Sequence, residues 1–172
     1  MKVFKFGGAS VKDAEGVKNV ASVLKTVGYE DTLVIVSAMG KTTNAMELVI
    51  KNYFENRTEL QSALQEVKKF HNQILLDLFD NERHPVFNHV KNLFTELGTF
   101  LEVNKSPDYN FVYDQTIGYG ELLSTTIISY YLNEISIKNN WLDVRTFIKT
   151  DNYYRRANVN WERTQTKISK DF

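Results

Sequence analysis

Three short segments hold the residue types that phosphoryl or anion chemistry needs. The first is Lys5-Phe6-Gly7-Gly8-Ala9-Ser10-Val11. Two glycines let the backbone approach a bulky anion, and the N–H groups of a turn opening a helix favour negative charge. Lys5 adds a mobile cation where a strand would end. Together these parts suit a phosphate. The segment matches neither G-x-x-x-x-G-K-[ST] nor G-x-G-x-x-G, and a plain strand-to-helix turn with an exposed lysine fits it as well. The second segment is Ser37-Ala38-Met39-Gly40-Lys41-Thr42-Thr43-Asn44, small and rich in hydroxyls. Thr42 and Thr43 also suit plain helix capping, and Lys41 a solvated side chain. The third is Gly118-Tyr119-Gly120-Glu121-Leu122-Leu123-Ser124. A carboxylate in a first helical turn is stabilised by the helix dipole. The functional reading is that Glu121 receives a ligand ammonium group, with Gly120 leaving room for it.

The elements that must position these segments follow from hydrophobic periodicity. Val3, Phe4 and Phe6 among lysines predict a short strand, broken by Gly7-Gly8. Val17, Val20, Val23, Leu24 and Val27 recur at helical spacing, and Gly28 is placed to end that helix. Thr32–Ser37 is a continuous apolar run that reads as a strand buried on both faces, as in a parallel sheet. Ala45, Met46, Val49 and Tyr53 predict a second helix. In a parallel sheet both loops lie at one edge, where open α/β sheets bind ligands.

The middle of the chain differs. Leu60, Leu64, Val67, Phe70, Ile74, Leu75 and Leu78 predict a long helix. His84-Pro85 interrupts it, and Phe87, Val90, Leu93, Phe94, Leu97 and Leu101 predict another. Pro107 restarts the chain before a third helix over 120–135. Strand character returns at Trp141–Ile148, and the tail from residue 160 is helical in propensity. The predicted fold class is α/β, a three-layer αβα sandwich with a mostly parallel sheet and a helical insertion, its sheet incomplete. The expected organisation is β-α-β-α with the loops over 1–56, the helical insertion over 57–136, and a return to the sheet over 137–172.

Composition excludes several classes. The 172 residues allow one ordinary domain, able to bury a core without staples. With 21 Lys+Arg against 21 Asp+Glu, no broad electrostatic footprint for nucleic acid or an anionic membrane is expected. There is no cysteine, which removes disulfides, thiolate metal sites and cysteine nucleophiles and fits a reducing compartment. No apolar signal core or membrane-length run is seen, so a cytoplasmic location is expected.

In order and spacing, these segments resemble the aspartokinases within the amino-acid kinase family. Lys5–Val11 is similar to that family's N-terminal signature. Ser37-Ala38 followed by Thr43-Asn44 resembles its second substrate loop, and Gly120-Glu121-Leu122-Leu123-Ser124 its Gly-Glu motif. Trp141–Arg145 and Thr150-Asp151 resemble the strand and segment that come next. The resemblance implies phosphoryl transfer from ATP, with Mg²⁺ accompanying the nucleotide, to the side-chain carboxylate of L-aspartate. The product is 4-phospho-L-aspartate, at the entry to lysine, methionine and threonine synthesis. It implies Lys5 as the catalytic group on the transferring phosphate, with Gly7, Gly8 and Ser10 in the phosphate loop. Thr43 and Glu121 would bind aspartate, Glu121 through the amino group, with Ser37 a further candidate. A homo-oligomer is implied for the full-length protein.

Two departures stand out. Ala9 lies where the family commonly has a hydroxyl residue. The family's later Gly- and Thr-rich segment with its Arg and Asp, its adenine-binding part and its ACT domains are not in these 172 residues. The chain is therefore expected to be an N-terminal portion, inactive alone. The competing expectations are a non-catalytic binding or interaction module on the same fold, and another amino-acid or carbamate kinase. Glu121 in its Gly-Glu context favours aspartate over the latter.

Overall fold

The computed structural model describes residues 1–171. Strands β1 (Lys2–Phe6) and β2 (Thr32–Val36) pair in parallel, from Lys2 opposite Thr32 to Phe6 opposite Val36. Helix α1 (Ala14–Val27) connects them. Asp13 caps its start by accepting from the Gly16 N–H at 2.8 Å. Gly28, at φ 78°, ends it, where a side chain would be strained. Lys2 Nζ donates to the Val27 and Gly28 carbonyls at 3.0 and 3.2 Å, setting a cation on the negative end of α1.

The predicted burial of β2 on both faces is not found. Phe4, Phe6, Val34 and Val36 face the core, whereas Val3 is 60% and Ile35 40% exposed. Alternation puts these last two on the other side of the sheet, which no layer of the described residues covers. The architecture is α/β with a short parallel sheet and is mostly helical. Among the described residues the predicted third layer is not seen.

Five helices build most of the core: α2 (Thr42–Glu55), α3 (Arg57–Leu78), α4 (Pro85–Val103), α5 (Tyr109–Ile117) and α6 (Tyr119–Glu134). Met46, Ile50, Leu75, Leu97, Leu101, Leu123 and Ile127 are fully enclosed. Pro85 stands at the first position of α4, where its missing N–H costs nothing. Helix α5 was not anticipated, because it buries only Val112 and Thr116 and so has almost no apolar stripe. Asp108 starts it, accepting from the Asn110 and Phe111 N–H groups at 2.9 and 3.2 Å. On α3, Phe70 is partly exposed and the adjacent His71 takes the enclosed position.

The strand predicted at Trp141–Ile148 does not form. Val144–Thr146 is a 3₁₀ turn, started by the Asp143 carboxylate, which accepts from the Arg145 N–H at 3.0 Å and its guanidinium at 2.6–3.0 Å. A strand needs a neighbour for its ladder, and here a local carboxylate satisfies the backbone instead. Thr150 and Val159 form an isolated antiparallel bridge, and α7 (Trp161–Asp171) matches the predicted helical tail. Among the described residues no helix is long and apolar enough to cross a membrane.

His71 gives the fold a pH dependence. Its Nδ1–H donates to the Val67 carbonyl at 2.8 Å, Phe70 and Phe94 meet its ring edge-on, and Nε2 is buried without a partner. Burial lowers its pKa from 6.5 to about 4. Between those values the unfolded chain binds a proton that the folded chain does not. Stability is therefore complete above pH 6.5 and falls as pH drops toward 4. The loss attributable to this group is at most about 3 kcal/mol. Denaturant unfolding at about pH 7 and about pH 4.5 should show a smaller pH loss in His71→Leu than in the parent; equal losses would exclude His71 as the cause.

Candidate functional site

The parallel register ends both strands at one level, so their following loops lie side by side. The Ser37 N–H donates to the Phe6 carbonyl at 3.0 Å, one step beyond the sheet. The Gly40 N–H then donates to the Gly8 carbonyl at 3.0 Å. A Cβ on Gly8 would lie 2.7 Å from the Ala38 oxygen, so only glycine permits this approach. Gly40 sits at φ 53°, with the Phe70 ring edge 3.4 Å from where its Cβ would be. Lys5 is exposed, and its Nζ lies 3.4 Å from the place a Cβ on Gly7 would occupy. The ammonium thus stands over an unobstructed stretch of backbone.

The first loop does not open directly into a helix. A 3₁₀ turn, Gly8–Val11, intervenes, and the Asp13 carboxylate occupies the start of α1. Any anion at Gly7-Gly8 therefore meets the turn and Lys5, and not the end of α1. Ser10 is exposed on that turn; its N–H donates to the Gly7 carbonyl at 2.9 Å, and its carbonyl packs against Gly16. No hydrogen bond joins its hydroxyl to the other two loops among the described residues.

The first turn of α6 sits directly on the second loop. Glu121 Oε1 accepts from the Ala38 N–H at 3.3 Å, and Ser124 Oγ donates to the Ser37 carbonyl at 2.8 Å. A Cβ on Gly120 would lie 2.9 Å from Ala38 Cβ and 3.4 Å from Thr42 Cγ2. Gly120 therefore serves close packing and does not hold open a ligand space. Thr42 is buried, its hydroxyl donating to the Met39 carbonyl at 2.6 Å, while Thr43 is exposed one residue further on. Neither threonine caps α2: Lys41 holds that position without a side-chain bond.

The structure thus links Gly8 to the second loop through Gly40, and Glu121 to it through Ala38, beside Ser37, which Ser124 holds. Thr43 lies on the same edge next to Thr42, and Lys5, at the end of β1, stands over Gly7. Ser124 was quoted in the sequence motif without a role. The signal for it was its spacing of three from Glu121, which places both on one helix face. One side of the edge carries a cation and the other a carboxylate, an arrangement suited to a ligand bearing both signs of charge. Two surface grooves, one on α4 around Thr99, Phe100 and Val103 and one between α1 and α6 around Lys18, Lys25 and Tyr131, are lined by other residues.

The model of the amino acid kinase family matches residues 1–171. The chain is 31% identical over 149 residues to the chloroplastic bifunctional aspartokinase/homoserine dehydrogenase 2 of Arabidopsis thaliana, covering 83% of this chain and 16% of that protein. It is 31% identical over 160 residues to the chloroplastic aspartokinase 1 of the same plant, covering 88% of this chain and 27% of that one. The crystal structure of Escherichia coli aspartokinase III in complex with aspartate and ADP superposes with a TM-score of 0.83 at 22% identity. That match covers 99% of this chain and 37% of the solved one. The chain thus spans well under half the length of each of these relatives.

The packing at these loops makes the glycines distinguishable. Gly8→Ala and Gly120→Ala should each destabilise by about 1–3 kcal/mol, because the new methyl group meets backbone or a fixed Cβ. Gly118→Ala should be neutral or slightly stabilising, since nothing lies within 4 Å of its Cβ position and its φ is −66°. Chemical denaturation of the three variants checks the ranking; a costless Gly8→Ala would contradict the close approach of the loops.

Proposed function

The chain belongs to the amino acid kinase family, and we propose that the protein carrying it is an aspartokinase. In this reading a side-chain carboxylate oxygen of L-aspartate attacks the γ-phosphorus of ATP. The bond to ADP breaks, and 4-phospho-L-aspartate leaves for lysine, threonine and methionine synthesis. The observation that carries the reading is the placement of Glu121 against the second loop, through Ala38, at the edge where Lys5 and Gly7 stand.

Each residue then has a role with a physical basis. Lys5 neutralises charge on the transferring phosphoryl group, and Gly7 and Gly8 let the backbone come close to it. Ser10 flanks that loop. Thr43 donates to a carboxylate of aspartate, with Ser37 beside it. Glu121 accepts from the amino group. Its bond to Ala38 is long, at 3.3 Å, and uses one of about four acceptor positions on the carboxylate, so capacity remains for an ammonium. No covalent nucleophile is required, because the substrate supplies its own.

Mg²⁺ accompanying the nucleotide would neutralise charge on its phosphates. No group of three or more His, Asp or Glu side chains is gathered among the described residues. The finer reading also includes a three-layer sandwich completed in the full-length protein, a homo-oligomer and a cytoplasmic location. Because the chain spans 37% of the solved aspartokinase III, these 172 residues alone should not turn over.

A coupled assay of ADP release with L-aspartate, on the full-length gene product, tests the proposal. Glu121→Ala should raise the aspartate KM about 10- to 100-fold, the range for losing a hydrogen bond to a charged group, while the ATP KM stays nearly constant. Lys5→Ala should act mainly on kcat. An unchanged aspartate KM in the first variant, or a near-normal rate in the second, would remove that residue from the site.

A further inference from the structure

Helix α5 is held more weakly by burial than its neighbours, yet it leads directly into the turn that carries Glu121. It buries only Val112 and Thr116, and the Thr116 hydroxyl is enclosed without a partner. A single residue, Gly118, separates its end from the start of α6, so a movement of α5 passes directly to the first turn that carries Glu121.

Helix α5 runs antiparallel along α2. Phe54, near the end of α2, meets Tyr109 at the start of α5, with ring centroids 5.4 Å apart. One stage nearer the site, the Tyr113 hydroxyl donates to Glu47 Oε1 at 3.0 Å. Beyond that point α2 leads back through one turn to Thr43, and α5 leads forward through Gly118 to Glu121. The two ends meet where Thr42 Cγ2 lies 3.4 Å from the Cβ position of Gly120. Arg155, in the 3₁₀ turn Tyr154–Arg156, closes the arrangement. Its guanidinium carbon lies 4.2 Å from the Tyr113 ring centroid and 5.6 Å from that of Tyr109. A cation over a phenol ring is attracted to its face and strengthens the hydroxyl as a donor.

We propose that the Arg155–Tyr113–Glu47 chain is a positioning device for the acceptor subsite: it pins α5 to α2 and thereby sets Glu121 relative to Thr43. Among the described residues no hydrogen bond or ion pair joins any of the three to the loops. The link to L-aspartate rests on the function proposed above, whereas the mechanical statement does not.

Two measurements separate these. In the full-length gene product, Tyr113→Phe and Arg155→Gln should raise the aspartate KM about fivefold, as for one solvent-exposed hydrogen bond of ordinary strength, with kcat and ATP KM nearly unchanged. Arg155→Lys, which keeps a cation over the rings, should recover part of the loss. An unchanged aspartate KM, or kcat and both KM values moving together, overturns the proposal. The second measurement needs no activity. These 172 residues hold no cysteine, so in the full-length gene product, with any other cysteine replaced, spin labels at Asn44→Cys and Gln115→Cys report the α2–α5 separation. Tyr113→Phe should shift or broaden that distance distribution; an identical distribution overturns the proposal. A protein that does not phosphorylate L-aspartate but shows the distance change would overturn the substrate reading and leave the device standing.

Discussion

The parallel pairing of β1 with β2 is the constraint on which the remaining structure depends. Because Phe6 lies opposite Val36, the chain leaves both strands at the same level. The two loops must then share a narrow space, and glycine at position 8 lets one backbone pass within hydrogen-bond distance of the other. A register slip of one residue would turn every inward side chain of one strand outward. It would also separate the Gly7-Gly8 loop from the Ser37–Lys41 loop. The position of the site is in this sense a consequence of which side chains the sheet buries.

The third loop reaches that edge by another route. It lies some eighty residues downstream, and the intervening helices fold back so that α6 lays its first turn on Ala38. Small residues again allow the contact, with Gly120 against Ala38. The helical block thus does more than fill the core. It carries Glu121 to the strand ends, and the connection through α5 makes its placement depend on contacts remote from the loops.

Much of this was legible in the sequence. The periods of three and four pointed to α1, α2, α3 and α4, the apolar stretch after Gly120 pointed to α6, and the glycine breaks to the loops. The Gly-Glu motif pointed to Glu121, whereas the role of Ser124, three residues on and on the same helix face, was not drawn from it. Helix α5 was not legible, because it is short and buries too little for a pattern. Its Asp108 cap was the available cue. The segment Trp141–Ile148 has strand composition but no strand beside it, and Asp143 diverts its backbone into a turn. Val3 and Ile35 belong to the same problem. Their residue types suit a sheet face covered on both sides, a condition that depends on neighbours and cannot be read from β2 alone.

Glu121 and Ser124 share the work at the second loop unequally. Ser124 holds the Ser37 carbonyl at 2.8 Å, a distance typical of a good hydroxyl bond, so it fixes α6 to the loop. Glu121 meets the Ala38 N–H at 3.3 Å, beyond the usual range for such a bond. A carboxylate locked by short bonds to the protein would have to lose them before accepting a ligand. Here a neutral hydroxyl does the anchoring, and the charged group is oriented while keeping most of its acceptor capacity. The same economy applies across the edge, where Lys5 stands over Gly7 with no carboxylate bonded to its ammonium among the described residues. In a chain of zero net charge, the proposed substrate, which carries both signs, would meet two charges left unspent on opposite sides of one edge.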